Sequence, residues 1–195
     1  MEFDQILEKS FDSGVAVTYG ILRGTSEQVT LIKSGRGGTS RGYDDKYIKM
    51  AHRIHARTGG WVICASNPVG ADDSSLLDQA VIAQITDGMS SPALSLFGGS
   101  NGAYQALMLA TRVPVRRLVL VNMPLMLNFH KTCRALQVLD RTEKHFVYGS
   151  LDPSFSYLPF LERRAYPSTE ILRIEGADHN FTDRLDEYIA LSDLL

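Results

Sequence analysis

Residues 94–106 read LSLFGGSNGAYQA. An apolar run ends at Phe97, Gly98-Gly99-Ser100-Asn101-Gly102 follows, and Ala, Leu and Met then dominate. Glycines two residues to either side of Ser100 give Gly-x-Ser-x-Gly between an expected strand and an expected helix, the setting of a nucleophile elbow. So sharp a turn strains the backbone at its apex and needs neighbours without bulk, so that the chain can pass closely. It holds the hydroxyl out beyond the strand end. It also aims the helix N-terminus and the Asn101 amide at negative charge forming beside Ser100. The same residues would serve as a plain loop or as a phosphate-binding glycine turn. Against the latter, the G-x-G-x-x-G spacing fails and no lysine follows.

A serine hydroxyl needs a base, and the base needs a group to orient it. Of the five histidines, His52 and His55 precede a strand and His145 opens one, at the wrong end for Ser100. His130 follows another strand, but nothing around it fixes its position. His179, in Glu175-Gly176-Ala177-Asp178-His179-Asn180-Phe181, lies between the last strand and the final helix, where a base can reach Ser100. For the carboxylate, Asp152 turns off a strand that ends at Gly149, just before Pro153. It reads as the orienting acid, or as a turn aspartate bound to its own backbone. Asp178 is a rival, although adjacent loop residues usually point apart. The expected catalytic order is Ser100, Asp152, His179.

Acyl transfer also requires an oxyanion hole, because a tetrahedral intermediate puts charge on the former carbonyl oxygen. The Asn101 N–H is one expected donor. The second should come from the glycine-rich loop Ser34-Gly35-Arg36-Gly37-Gly38-Thr39-Ser40, with Arg36 N–H ahead of Gly37. The Arg36 side chain is either solvated or, with Arg41 as an alternative, attracts an anionic part of a substrate.

Positioning these groups takes a layered framework. Residues 15–22, 28–33, 61–66, 93–97, 117–122, 145–149 and 169–175 read as strands. The first two, joined by Arg23-Gly24-Thr25-Ser26, look like an antiparallel hairpin. Runs 61–66, 93–97 and 118–121 are almost continuously apolar, as strands covered on both faces are. Helical patterns fill 43–57, 72–88, 101–112, 126–140 and 182–194. In the first, Tyr47, Ile48, Met50, Ala51 and Ile54 recur at helical spacing and Gly59-Gly60 stops the run. In the second, Asp72-Asp73-Ser74-Ser75 offers cap chemistry before a stripe of Leu76, Leu77, Ala80, Val81, Ala83 and Ile85. Alternating strands and helices give an α/β domain with a mostly parallel sheet and right-handed crossovers.

The 195 residues read as one domain, residues 1–195. The composition is that of a globular protein, 44% hydrophobic and 22% charged. A net charge of −2 gives no general attraction to nucleic acid or an anionic membrane. No run approaches the length of a membrane span, and the first residues carry acids where a signal peptide has bases. Cys64 and Cys133 lack metal-ligand spacing and read as inert thiols in a reducing cytoplasm.

FGGSNGA, YGSLDP and GADHNF fall at three functional strand ends in one order, behind the opening hairpin and its glycine loop. In these features the chain resembles the α/β-hydrolase superfamily, with GADHNF and Gly-x-x-Asp-Pro similar to small esterase and dienelactone-hydrolase-like members. The resemblance implies a three-layer fold with about seven strands and helices on both faces. It also implies acylation of Ser100 by a carboxylic ester or thioester, then hydrolysis by a water activated by His179, without a cofactor. The oxyanion loop opens Ser34-Gly35 where the family often has His-Gly, which leaves its register open. Only one helix and short loops fit between Asn122 and Lys144, so no large lid is expected. The apolar cluster Met123, Leu125, Met126, Leu127 and Phe129 either lines the site, forms a homodimer face, or packs as helix core. A thioesterase or acyltransferase working on a carrier-bound acyl group, and a catalytically silent binding scaffold, are the alternatives to an esterase with a small-molecule acyl substrate.

Overall fold

The computed structural model describes residues 1–70 and 73–195. In chain order the elements are β1 (Gln5–Ser10), β2 (Ala16–Leu22), β3 (Gln28–Lys33), α1 (Lys46–Thr58), β4 (Trp61–Ala65), α2 (Ser75–Thr86) and β5 (Ala93–Gly99). There follow α3 (Asn101–Ala110), β6 (Arg117–Val121), α4 (Leu125–Gln137), β7 (Glu143–Gly149), α5 (Leu158–Glu162), β8 (Thr169–Ile174) and α6 (Leu185–Ala190). The eight strands form one sheet in the order β1-β2-β4-β3-β5-β6-β7-β8. β2 runs antiparallel to both β1 and β4, and every other pairing is parallel.

Two expectations about the N-terminal edge are corrected. Strands β2 and β3 do not form a hairpin, because β4 lies between them and pairs with both. The hairpin is β1–β2, with Gln5 opposite Ile21 and Ser10 opposite Ala16. β1 alternates between half-buried and exposed residues, the pattern of an edge strand with one face in water. With it the sheet has eight strands, where about seven are expected.

The central strands are apolar because both faces are covered. One apolar layer joins Leu31, Ile63, Leu96, Leu118 and Leu120 to residues of α2, α3, α4 and α5. The other joins Ile32, Cys64, Phe97, Val119 and Val147 to residues of α1 and α6. Each fully buried Leu, Val or Phe contributes about 1.5–3 kcal/mol of transfer free energy. Helix α1 buries the expected Tyr47, Ile48, Met50, Ala51 and Ile54 and ends at Gly59, which is left-handed at φ 63° with its N–H on His55 O. Helix α2 departs from expectation. Leu76, Ala80 and Ala83 face outward, while Ser75, Asp78, Val81 and Ile82 are buried. Of the expected cap residues, Asp72 lies outside the described residues; Asp73 accepts from Ser75 N–H, and Ser74 turns inward. Between β6 and β7 there is one helix, α4, and no large lid.

Candidate active site

Ser100 follows β5 directly and adopts φ 53°, ψ −125°, a strained backbone held by a hydrogen bond from its N–H to Val121 O at 2.8 Å. The flanking glycines are there for space. A Cβ on Gly98 would stand 2.5 Å from Ala103 N, and one on Gly102 would stand 2.5 Å from Lys33 O. Strand β5, helix α3 and the end of β3 therefore meet backbone to backbone around the serine.

The structure brings Ser100, His179 and Asp152 into one hydrogen-bonded chain. His179 Nε2 lies 2.9 Å from Ser100 Oγ, and Nδ1 lies 2.5 Å from Asp152 Oδ2. Asp152 is buried, and its second oxygen accepts from Ser154 N–H at 2.6 Å, so its carboxylate is fixed from both sides. The hydrogen bond that His179 Nδ1–H donates to Asp152 raises the His179 pKa above the usual imidazole value; burial and the charge of Lys46 oppose the rise. Asp178 faces elsewhere, accepting from Asn180 N–H and Thr182 N–H within its own loop. The other histidines are engaged away from Ser100. His52 bonds Glu2 O, His55 bonds Gly60 O, and His145 stands between Glu143 and Glu170. His130 borders a groove formed with Met126, Leu127, Phe129, Tyr157 and Phe160. Met123 and Leu125 of the apolar cluster are core instead.

In the glycine loop, the Gly37 N–H, the alternative oxyanion donor, donates to Asn67 O at 2.7 Å and is thus engaged. Among the described residues neither Arg36 N–H nor Asn101 N–H has an acceptor. Arg41, offered by sequence as an anion binder, is already paired with Asp45 and Glu2.

Sequence reasoning missed several residues that hold the site. Asn122, at φ 46°, donates from Nδ2 to Asp178 O and His179 O and accepts the Gly149 N–H at Oδ1. It ties the histidine loop to the ends of β6 and β7. Asn67 donates to Asn101 Oδ1 and Ser34 O, and so joins the elbow to the glycine loop. Below it, a buried polar cluster contains Gln105, Ser74, Tyr19 and the ion pair Lys33–Asp78, whose side chains are 1% and 2% exposed. An asparagine at a strand end reads as turn chemistry, and no local pattern marks its cross-chain partners.

A cavity of about 410 Å³ opens over Ser100. Ser34, Arg36, Lys46, Tyr47, Tyr188 and His179 are among the side chains lining it. Ser100 and His179 stand at this cavity with the Asp152 carboxylate behind the imidazole, an arrangement that can carry acyl transfer; among the described residues no cluster of metal-ligating side chains occurs. No helix there is long and apolar enough to cross a membrane.

No protein-family model matches the sequence, and no curated protein matches it. Solved structures do match. An alpha-beta serine hydrolase homologue from Coxiella burnetii is 19% identical, with 98% of this chain and 97% of that one covered and a TM-score of 0.70. A serine hydrolase without a lid from Xanthomonas campestris is 17% identical, with 97% and 91% covered and a TM-score of 0.67. The thioesterase domain from the curacin biosynthetic pathway is 14% identical, with 97% and 99% covered and a TM-score of 0.65. The chain has the α/β-hydrolase fold.

Proposed function

On that fold, we propose that the protein is a serine hydrolase that cleaves a small or accessible carboxylic ester through an acyl-Ser100 intermediate. The observation that carries this reading is the hydrogen-bonded chain from Ser100 Oγ through His179 to buried Asp152, at a strained elbow. Asp152 holds the Nδ1–H tautomer, so Nε2 is free to accept the Ser100 proton. Oγ attacks the acyl carbon, and the oxyanion receives the N–H groups of Asn101 and Arg36. Collapse expels the alcohol oxygen, which takes the proton from His179. Water then loses a proton to His179 and attacks the acyl carbon; collapse breaks the bond to Ser100 Oγ, which takes that proton back from His179, and releases the carboxylic acid. No cofactor is required. The two buried, unpaired thiols fit a reducing cytoplasm.

Thioesters are a second substrate reading. With a single helix between β6 and β7, the cavity at Ser100 is reachable by an acyl group on a carrier. Stopped-flow hydrolysis of p-nitrophenyl acetate tests the main reading: a burst of about one equivalent of nitrophenol is expected, absent in Ser100→Ala. Turnover of acyl-pantetheine thioesters in the same buffer separates thioesterase from esterase. A folded wild type with no burst and no turnover of either would make the fold a silent scaffold.

A further inference from the structure

Resting on the proposed hydrolase reading, the geometry points to an anion-binding subsite beside Ser100: we propose that the substrate is an ester that also bears a carboxylate, held by Lys46 with Arg36 at the rim.

Among the described residues, the cavity at Ser100 is lined by two cationic side chains, Lys46 and Arg36, and by no aspartate or glutamate. Arg36 is exposed and has no acidic partner among the described residues. Lys46 is half-buried at the start of α1 and likewise lacks a carboxylate partner there. Its ammonium lies on aromatic faces, 4.1 Å from the Tyr188 ring centroid and 5.1 Å from that of Tyr47. Those two rings reach the elbow: a Cβ built on Gly99 would run into the Tyr188 hydroxyl and stand 3.3 Å from the Tyr47 hydroxyl. The charge is therefore one tyrosine ring away from the backbone of Gly99, the residue before Ser100, and it lowers the His179 pKa. Burial lowers the Lys46 pKa with no carboxylate opposing it, whereas buried Lys33 has Asp78.

Lys46 also borders a second cavity that contains Asp44, Asp183, Asp186 and Glu187. Asp44 is paired with Lys49 and Glu187 with Arg184, and neither Asp183 nor Asp186 forms an ion pair with Lys46. A partly desolvated cation facing a catalytic cavity gains most from an anion that displaces water there, because charge-assisted contacts strengthen as solvent leaves.

Two pairs of esters test the subsite. One is p-nitrophenyl hydrogen adipate against its methyl ester, with the charge on the acyl side. The other is the acetyl ester of 4-hydroxyphenylacetate against that of its methyl ester, with the charge on the leaving group. Wild type should favour the charged member of at least one pair by about tenfold or more in kcat/KM. Lys46→Met should abolish that ratio, and Lys46→Arg should keep most of it. Turnover of the neutral esters with no charge preference in either pair would overturn the subsite and leave the hydrolase reading intact. If no ester is turned over, the hydrolase reading fails and calorimetry with adipate decides the subsite alone. Binding that Lys46→Met abolishes would support it; no binding to wild type would overturn it.

Discussion

Replacing Lys33 with methionine should destabilise the protein far more than loss of a surface charge would. Lys33 Nζ donates to Asp78 Oδ1 at 3.1 Å and to Ser66 O at 3.0 Å. Asp78 also accepts from the hydroxyls of Tyr19 and Ser74. With both charged side chains almost wholly buried, Lys33→Met leaves an uncompensated carboxylate, at a cost of about 3–5 kcal/mol. That is a large part of the roughly 5–15 kcal/mol that holds a domain folded, and at this size corresponds to a fall in Tm of about 6–20 °C. Asp78→Leu added to Lys33→Met should restore part of the stability, and Tyr19→Phe more, since each removes a stranded polar partner. Urea denaturation measures all of this, with a constant m-value as the control. A loss under about 1 kcal/mol for Lys33→Met, the range of an exposed pair, would refute the argument.

Three further outcomes follow from the site. Asp152→Asn should lower kcat by roughly 10⁴ because the His179 tautomer is lost, whereas Asp178→Asn should change it little; steady-state kinetics on one ester would detect a reversed order. The base must be neutral, so kcat/KM should fall on acidification, with its limb above the ordinary imidazole range because Asp152 raises the His179 pKa. A pH–rate profile checks the position, and Lys46→Met should move the limb higher by removing a charge that lowers that pKa. Gly102→Ala puts a methyl against the carbonyls of Lys33 and Ser34; it should cost about 1–3 kcal/mol in urea denaturation and reduce kcat more than it raises KM.

The groups at Ser100 were legible because each lies at a strand end marked by local chemistry: glycines around the serine, Asp-Pro after Gly149, and a Gly-Ala-Asp-His loop after the last strand. The parallel core was legible from apolar runs that can only be covered on both faces. The edge was not. β1 carries Gln5, Glu8 and Lys9, as a strand half in water does, and its sequence is not read as a strand. The turn at residues 23–26 correctly marked the end of β2, but a turn says nothing of which strand pairs next; the long-range insertion of β4 decided that. Asp78 misled the reading of α2, because a charge on the buried face is allowed only by Lys33, 45 residues earlier. Asn67, Asn122 and Lys46 act through partners distant in sequence, and no spacing announces them.

The central claim is that Ser100 is an activated nucleophile, and labelling by a fluorophosphonate probe tests it most directly. Wild type and Ser100→Ala are incubated with the probe, and the modified peptide is read by mass spectrometry. The account predicts one adduct, on Ser100, in wild type alone and slowed in Asp152→Asn. A folded wild-type protein that takes no adduct, or takes it on another residue, would contradict it.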